Sequence, residues 1–130
     1  MSQVYTTFER PQSAKAAVAI AEGVFVFPSA ATTDGGVTMG LPLAAGGIVA
    51  GVAVSKAASG EAVSYTSEVG RIVPVKASAA FAVKAELSTT AAGLAKTAVT
   101  GEKIVAIALQ AATAANQVVS ALLLPSGTKA

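Results

Sequence analysis

From residue 14 to residue 124 the chain runs in short apolar stretches punctuated by Gly, Ser, Asn and Pro, a rhythm that predicts strands rather than helices. Residues 24–27 form the first clear strand, with Phe25 and Phe27 alternating with Val24 and Val26 in a core, and Pro28 stops it. Residues 48–54 follow a Gly46-Gly47 turn, and Gly51 inside that run marks a bulge or a close approach of two backbones. Residues 62–75 read as one long strand or as two joined at Gly70. In the first half of that run Val63, Tyr65 and Val69 alternate with Ser64, Thr66 and Glu68, giving one buried and one wetter face.

Residues 83–87 and 94–97 flank a turn-forming stretch at 88–93 and so predict a hairpin, and residues 104–109 and 118–124 predict the closing pair of strands. Alanine is also the best helix former, so residues 14–21 or 77–87 allow at most one or two short helices. The expected fold is mainly β: a small single-domain β-barrel or compact β-sandwich built of short hairpins. Its parts are an extended N-terminal arm at 1–12, a β domain at 13–124 and a loose C-terminal tail at 125–130. Residues 52–64 and 107–120 echo one another, each reading strand, small-residue turn, strand. They share a Gly60 or Asn116 able to take positive φ, followed by Glu61 or Gln117 and a β-branched run.

Composition narrows the function. The 130 residues are 53% hydrophobic but 12% charged and 5% aromatic, so the apolarity comes from Ala and Val. There is no His, Cys or Trp, which removes the usual metal ligands, thiol nucleophiles and proton shuttles of neutral pH. The seven carboxylates show no spacing that suggests acid/base work or metal ligation, and the twelve glycines make no phosphate-binding motif. These features predict a protein that is not an enzyme and that takes no cofactor, metal or small-molecule substrate. A net charge of +2, scattered singly, is no nucleic-acid footprint. Two long uncharged stretches fail as membrane spans: one carries six glycines and Pro42, and the other is broken at Asn116-Gln117. A soluble chain without a secretion signal is expected. Because about a quarter of a typical soluble domain is charged, so weakly polar a surface also predicts burial against neighbouring subunits.

The candidate contact residues lie in two places. Val4, Tyr5, Thr6, Thr7, Phe8 and Arg10 belong to the arm, which holds two of the chain's six aromatic residues, and they predict strand addition to a neighbouring subunit or capsid protein. Arg71 and Lys76 bracket the apolar residues 72–75, where Pro74 signals an edge strand. The pair reads as edge protection or as a contact with a partner.

The order of elements resembles the small capsid decoration, or cement, proteins of tailed double-stranded DNA bacteriophages. The resemblance is carried by the strand near Val24, the Gly-Gly-Ile-Val-Ala-Gly-Val-Ala-Val run at 46–54 and the Ala-Ala-Ser-Gly-Glu-Ala-Val-Ser-Tyr run at 57–65. It continues through Ala79-Ala80-Phe81-Ala82-Val83, the turn at 91–94 and the closing strands at 104–109 and 116–122, and so spans about residues 14 to 124. It implies a homotrimer, made in the host cytoplasm, that sits on the outer surface of the capsid and clamps adjacent capsomers of the major capsid protein. The competing classes are another β-rich phage subunit of the tail or of head completion, or a surface adhesion or fimbrial-type subunit.

Overall fold

The computed structural model describes residues 12–29 and 37–130 of the protein, and every regular element among them is a strand. In chain order these are β1 (Gln12–Ala16), β2 (Phe25–Pro28), β3 (Thr38–Gly40), β4 (Gly51–Ala53), β5 (Ala62–Thr66), β6 (Ile72–Lys76), β7 (Glu86–Thr89), β8 (Ala95–Thr97), β9 (Lys103–Ala108) and β10 (Val118–Thr128). The first five close into a barrel in the order β1-β3-β2-β4-β5, and the second five form a sheet in the order β6-β10-β9-β7-β8. The two edges of that sheet touch through a parallel bridge between Ala77 and Ala95. The small, mainly β single domain expected from the strand rhythm is therefore present.

A barrel of five strands encloses less space than the eight-stranded barrels whose interiors ordinary side chains just fill. Four of its buried positions consequently go to alanine, Ala14, Ala16, Ala53 and Ala57, beside Ile20, Val26, Met39, Val63 and Tyr65, and the second half likewise buries Ala77, Ala95, Ala108, Ala112 and Ala121. This demand overrides alanine's helix propensity. Neither stretch expected to allow a helix is one. Residues 14–16 lie in β1, paired with β5 through Ala14–Val63 and Lys15–Ala62. Residues 77–87 run through bends, a bridge between Phe81 and Ala112, and a left-handed Lys84 (φ 73°) into β7.

The two halves repeat one another. β1 pairs antiparallel with β5 and parallel with β3, while β6 pairs antiparallel with β10 and meets β8 in parallel at Ala77–Ala95. Ile20 and Ala57 exchange two backbone hydrogen bonds, as do Phe81 and Ala112. The N–H groups of Gly23 and Lys84 donate to the Ala53 and Ala108 carbonyls, each at 2.8 Å, and both donors have positive φ. Gly60 and Asn116 donate to the Ala16 and Ala77 carbonyls, and Asn116 takes φ 67° as the sequence suggested. In the turns that precede β5 and β10, the Glu61 and Gln117 side chains accept from the Ala58 and Thr113 N–H groups. The short echo in the sequence is thus the visible part of a duplication that spans β1–β5 and β6–β10.

The halves are joined where the outer wall of the barrel meets the second sheet. At the start of β2, Val26 and the preceding Val24 belong to the barrel core, but Phe25 belongs to the other core, together with Val52 of β4 and Val73, Leu87 and Leu123 of the second sheet. Both faces of residues 24–26 are therefore buried, and their alternation separates two cores instead of core from solvent. Backbone bonds lace the junction: Phe25 N–H to the Gly93 carbonyl at 2.8 Å and Lys76 N–H to the Gly23 carbonyl at 2.9 Å. Gly93 has no room for a side chain, since a Cβ there would lie 2.5 Å from Val24 Cγ1 and 2.6 Å from the Phe25 carbonyl oxygen.

Several boundaries differ from expectation for tertiary reasons. Residues 62–75 are two strands in different sheets, turned at Gly70 (φ 87°). The face assignment there is partly overturned: Thr66 is buried under the second half, whereas Val69 is 58% exposed in the turn. The strand at 48–54 shortens to β4. In the hairpin, Ser88 and Thr89 are buried strand residues and the turn is residues 90–94. Residues 125–130 do not trail away. β10 continues to Thr128, with a register irregularity between Leu123 and Gly127 that accommodates Pro125. Lys129 N–H then donates to the Glu102 carbonyl at 2.8 Å.

Two substitutions probe the close approach and the strain. A Cβ on Gly51 would sit 2.3 Å from the Thr66 carbonyl oxygen, so Gly51→Ala must force β4 and β5 apart. The expected loss is about 1–3 kcal/mol of unfolding free energy in a denaturant titration. Lys84→Gly, which relieves the left-handed backbone at the position Gly23 fills in the first half, is expected to raise stability by about 1 kcal/mol. Unchanged midpoints would contradict the close approach in one case and the strain in the other.

Candidate functional site

Of the residues singled out in the sequence, Val4, Tyr5, Thr6, Thr7, Phe8 and Arg10 lie outside the described residues. Arg71 directly precedes β6 and Lys76 ends it, so the two are not brought together. Arg71 pairs with Glu68 at 2.8 Å, as an i,i+3 contact on the turn between the halves. Lys76 uses its backbone to hold Gly23, and its side chain lines a shallow depression with Glu22, Ser55, Lys56 and Asn116. Charges of both signs border that depression, negative at Glu22 and positive at Lys56 and Lys76.

β6 is nevertheless an edge strand of the second sheet, as Pro74 implied. The Ala77 N–H points to β10, where it donates to the Gln117 carbonyl, while the Lys76 N–H points the other way, to Gly23. Alternation along the strand puts the Pro74 nitrogen on the side away from β10. The missing donor therefore costs the sheet no ladder bond and leaves the outer edge short of one.

The face of the second sheet turned away from its core was not singled out in the sequence, and it is apolar. Ile72 of β6, Leu122 of β10 and Ile107 of β9 form one cross-strand row, with Glu86 of β7 at its end. A second row runs from Pro74 to Ser120 and on to Leu109, whose N–H donates to the Ser120 carbonyl at 3.0 Å. Val118 lies beyond, opposite Lys76. Ile72 is 65%, Val118 46% and Leu109 41% exposed, high for large aliphatic side chains in or beside a regular sheet. The signal was present in residues 104–109, where every residue is apolar although a strand presents only alternate residues to one core.

Ion pairs lie at the margins. Glu86 accepts from Lys129 Nζ at 2.6 Å, and Glu102 accepts from Lys96 Nζ at 2.7 Å and from the Val99 N–H at 3.0 Å. The Lys96 hydrogen bond, with the Val99 N–H, holds the Glu102 carboxyl below its ordinary value. Among the described residues no three His, Cys, Asp or Glu side chains gather to form a metal site. No helix of the described residues is long and apolar enough to cross a membrane.

No protein-family model matches the sequence, and no curated protein matches it. Among solved structures, the head fiber gp8.5 N base of bacteriophage phi29 is similar in fold, with a TM-score of 0.72 at 18% sequence identity. The similarity covers 92% of this chain and 97% of that one, so it takes in both halves of the duplication.

Glu102 gives a pH test. Its carboxyl titrates below 4.5 in the folded chain, so its stabilising contribution is complete above that pH and fades as pH falls through the lower folded value. In acid titrations followed by thermal melting, the parent is expected to lose more stability below pH 4.5 than Glu102→Gln does. Superimposable acid profiles would refute the role of the Lys96 contact.

Proposed function

We propose that the protein is a structural subunit of the outer surface of a tailed-phage head, made in the host cytoplasm and acting as a homotrimer that clamps adjacent capsomers of the major capsid protein. The observation that carries the proposal is the fold shared with a phage head fiber base along nearly the whole of both chains. The decoration-protein resemblance of residues 14–124 and the low-charge surface support it independently. Such a role uses no turnover chemistry, cofactor or nucleic acid. Small contacts repeated over a closed shell add up by multivalency, so a modest affinity per subunit suffices.

A second reading follows from the same comparison: the domain is the base of a projecting head fibre rather than a freestanding clamp. Both readings require attachment to the head, and they differ in whether the domain carries further chain outward. In both, the arm with Tyr5 and Phe8 fastens the domain to the capsid or to a neighbouring subunit.

Heads lacking the protein, mixed with purified protein and sedimented, test the proposal. Saturable binding in a fixed ratio to the major capsid protein is expected. Deleting residues 1–11 should weaken binding by roughly tenfold or more, equivalent to about 1.4 kcal/mol, while leaving the fold intact by circular dichroism. Absence of the full chain from the head pellet at any concentration would refute head attachment. Undiminished binding of the shortened chain would refute the role of the arm.

A further inference from the structure

We infer that the outward face of β6, β10 and β9, centred on Ile72, Leu122, Ile107 and Leu109, is where a second copy of this chain docks. The inference deepens the proposed function by naming a face for its self-association, and it rests on that part of the reading.

The duplication supplies an internal control. In the first half, the row equivalent to Leu122, Ile107 and Glu86 is Thr66, Val52 and Phe25, which are register partners across β5, β4 and β2. They are 6%, 0% and 0% exposed, and Phe25 and Val52 lie in a core shared with the second half. Within the chain this row is already a unit-to-unit contact. In the second half the same row is half exposed, and Ile72 extends it.

Two of the first half's equivalent positions that are not covered carry a smaller or more polar side chain. Ser13 stands for Pro74 and Ala62 for Val118, while Ser64 matches Ser120 and Val54 stands for Leu109. The same local fold thus tolerates hydroxyls and alanine, so the barrel does not require the larger apolar groups of the second half. Their presence points to a partner.

Two features favour another copy of the chain over the capsid protein. The two rows carry no charged side chain apart from Glu86 at one end, which is paired with Lys129; such uncharged cores mark permanent rather than occasional contacts. A face of this kind also needs cover from synthesis onward, before a capsid surface is met, and the partner then present in matched number is the chain itself.

The test is mass by analytical ultracentrifugation across a concentration series for the full chain, for Ile72→Glu, for Leu109→Lys and for Leu43→Glu. Leu43 is 84% exposed and lies outside the face, so it serves as control. The parent and Leu43→Glu are expected to associate, and each face variant to associate on the order of thirtyfold or more weakly with an unchanged circular dichroism spectrum. Because the chain has no cysteine, Ser120→Cys adds a readout that does not depend on a disruptive charge: its maleimide labelling should slow as the oligomer forms. A parent that is monomeric throughout overturns the inference, even if it still binds heads. Association that persists in both face variants, with the thiol of the Ser120→Cys variant labelled equally fast at all concentrations, overturns the face and leaves self-association standing. Head sedimentation of the same samples separates these results from failure of the head-surface reading.

Discussion

The narrow bore of a five-stranded barrel is the constraint on which the rest of the molecule depends. Strands that curl this tightly leave little room inside, and alanine takes several of the inward positions beside Ile20, Met39 and Tyr65. Each buried alanine removes little area from water, so a single barrel of this kind is poorly stabilised by its own interior. Further bulky side chains are buried where the two halves meet: Phe25 and Val52 from one, Val73, Leu87 and Leu123 from the other. Each half therefore contributes to a core that neither encloses alone, and the backbone bonds at Gly93 and Gly23 fix the angle at which they meet.

The two halves also show how one mould accepts different fillings. Ile20 and Val26 of the first half become Phe81 and Leu87 in the second, where the larger groups take more space. Met39 and Tyr65 become Ala95 and Ala121, where it is given back. Volume is exchanged between positions of one cavity, which is the kind of change cores tolerate best. Backbone pairing at Ile20–Ala57 and Phe81–Ala112 stays the same throughout, so hydrogen bonding rather than side-chain identity preserves the repeat.

Much of the fold was legible because its signals are local. Gly51 announced a close backbone approach, Pro28 a strand end, Asn116 a left-handed turn, and the closing apolar runs the β9–β10 pair. The errors arise where distant parts decide. Nothing local to Ala14 and Ala16 says that a barrel interior, not a helix, will receive them. Thr66 is buried only because the second half lies over it, and Val69 is exposed only because the chain turns there to enter another sheet. Pro125 looked like a terminator, yet a register irregularity carries β10 past it. Of the contact surface, the edge at Pro74 was legible. The outward apolar face was not, because an apolar residue at every position of 104–109 reads as strand before it reads as two different environments.

Pro74 and the face beside it bear on how such a surface can be used. An open strand edge invites addition of another strand, and repeated addition has no natural end. On β6 the nitrogen that would face an added strand belongs to proline, which discourages that route. Side chains projecting from the sheet carry no such bar, and packing on a face is limited by shape and by what surrounds it, here Lys76 at one end and the Glu86–Lys129 pair at the other. Edge and face together thus favour contacts that saturate over contacts that propagate.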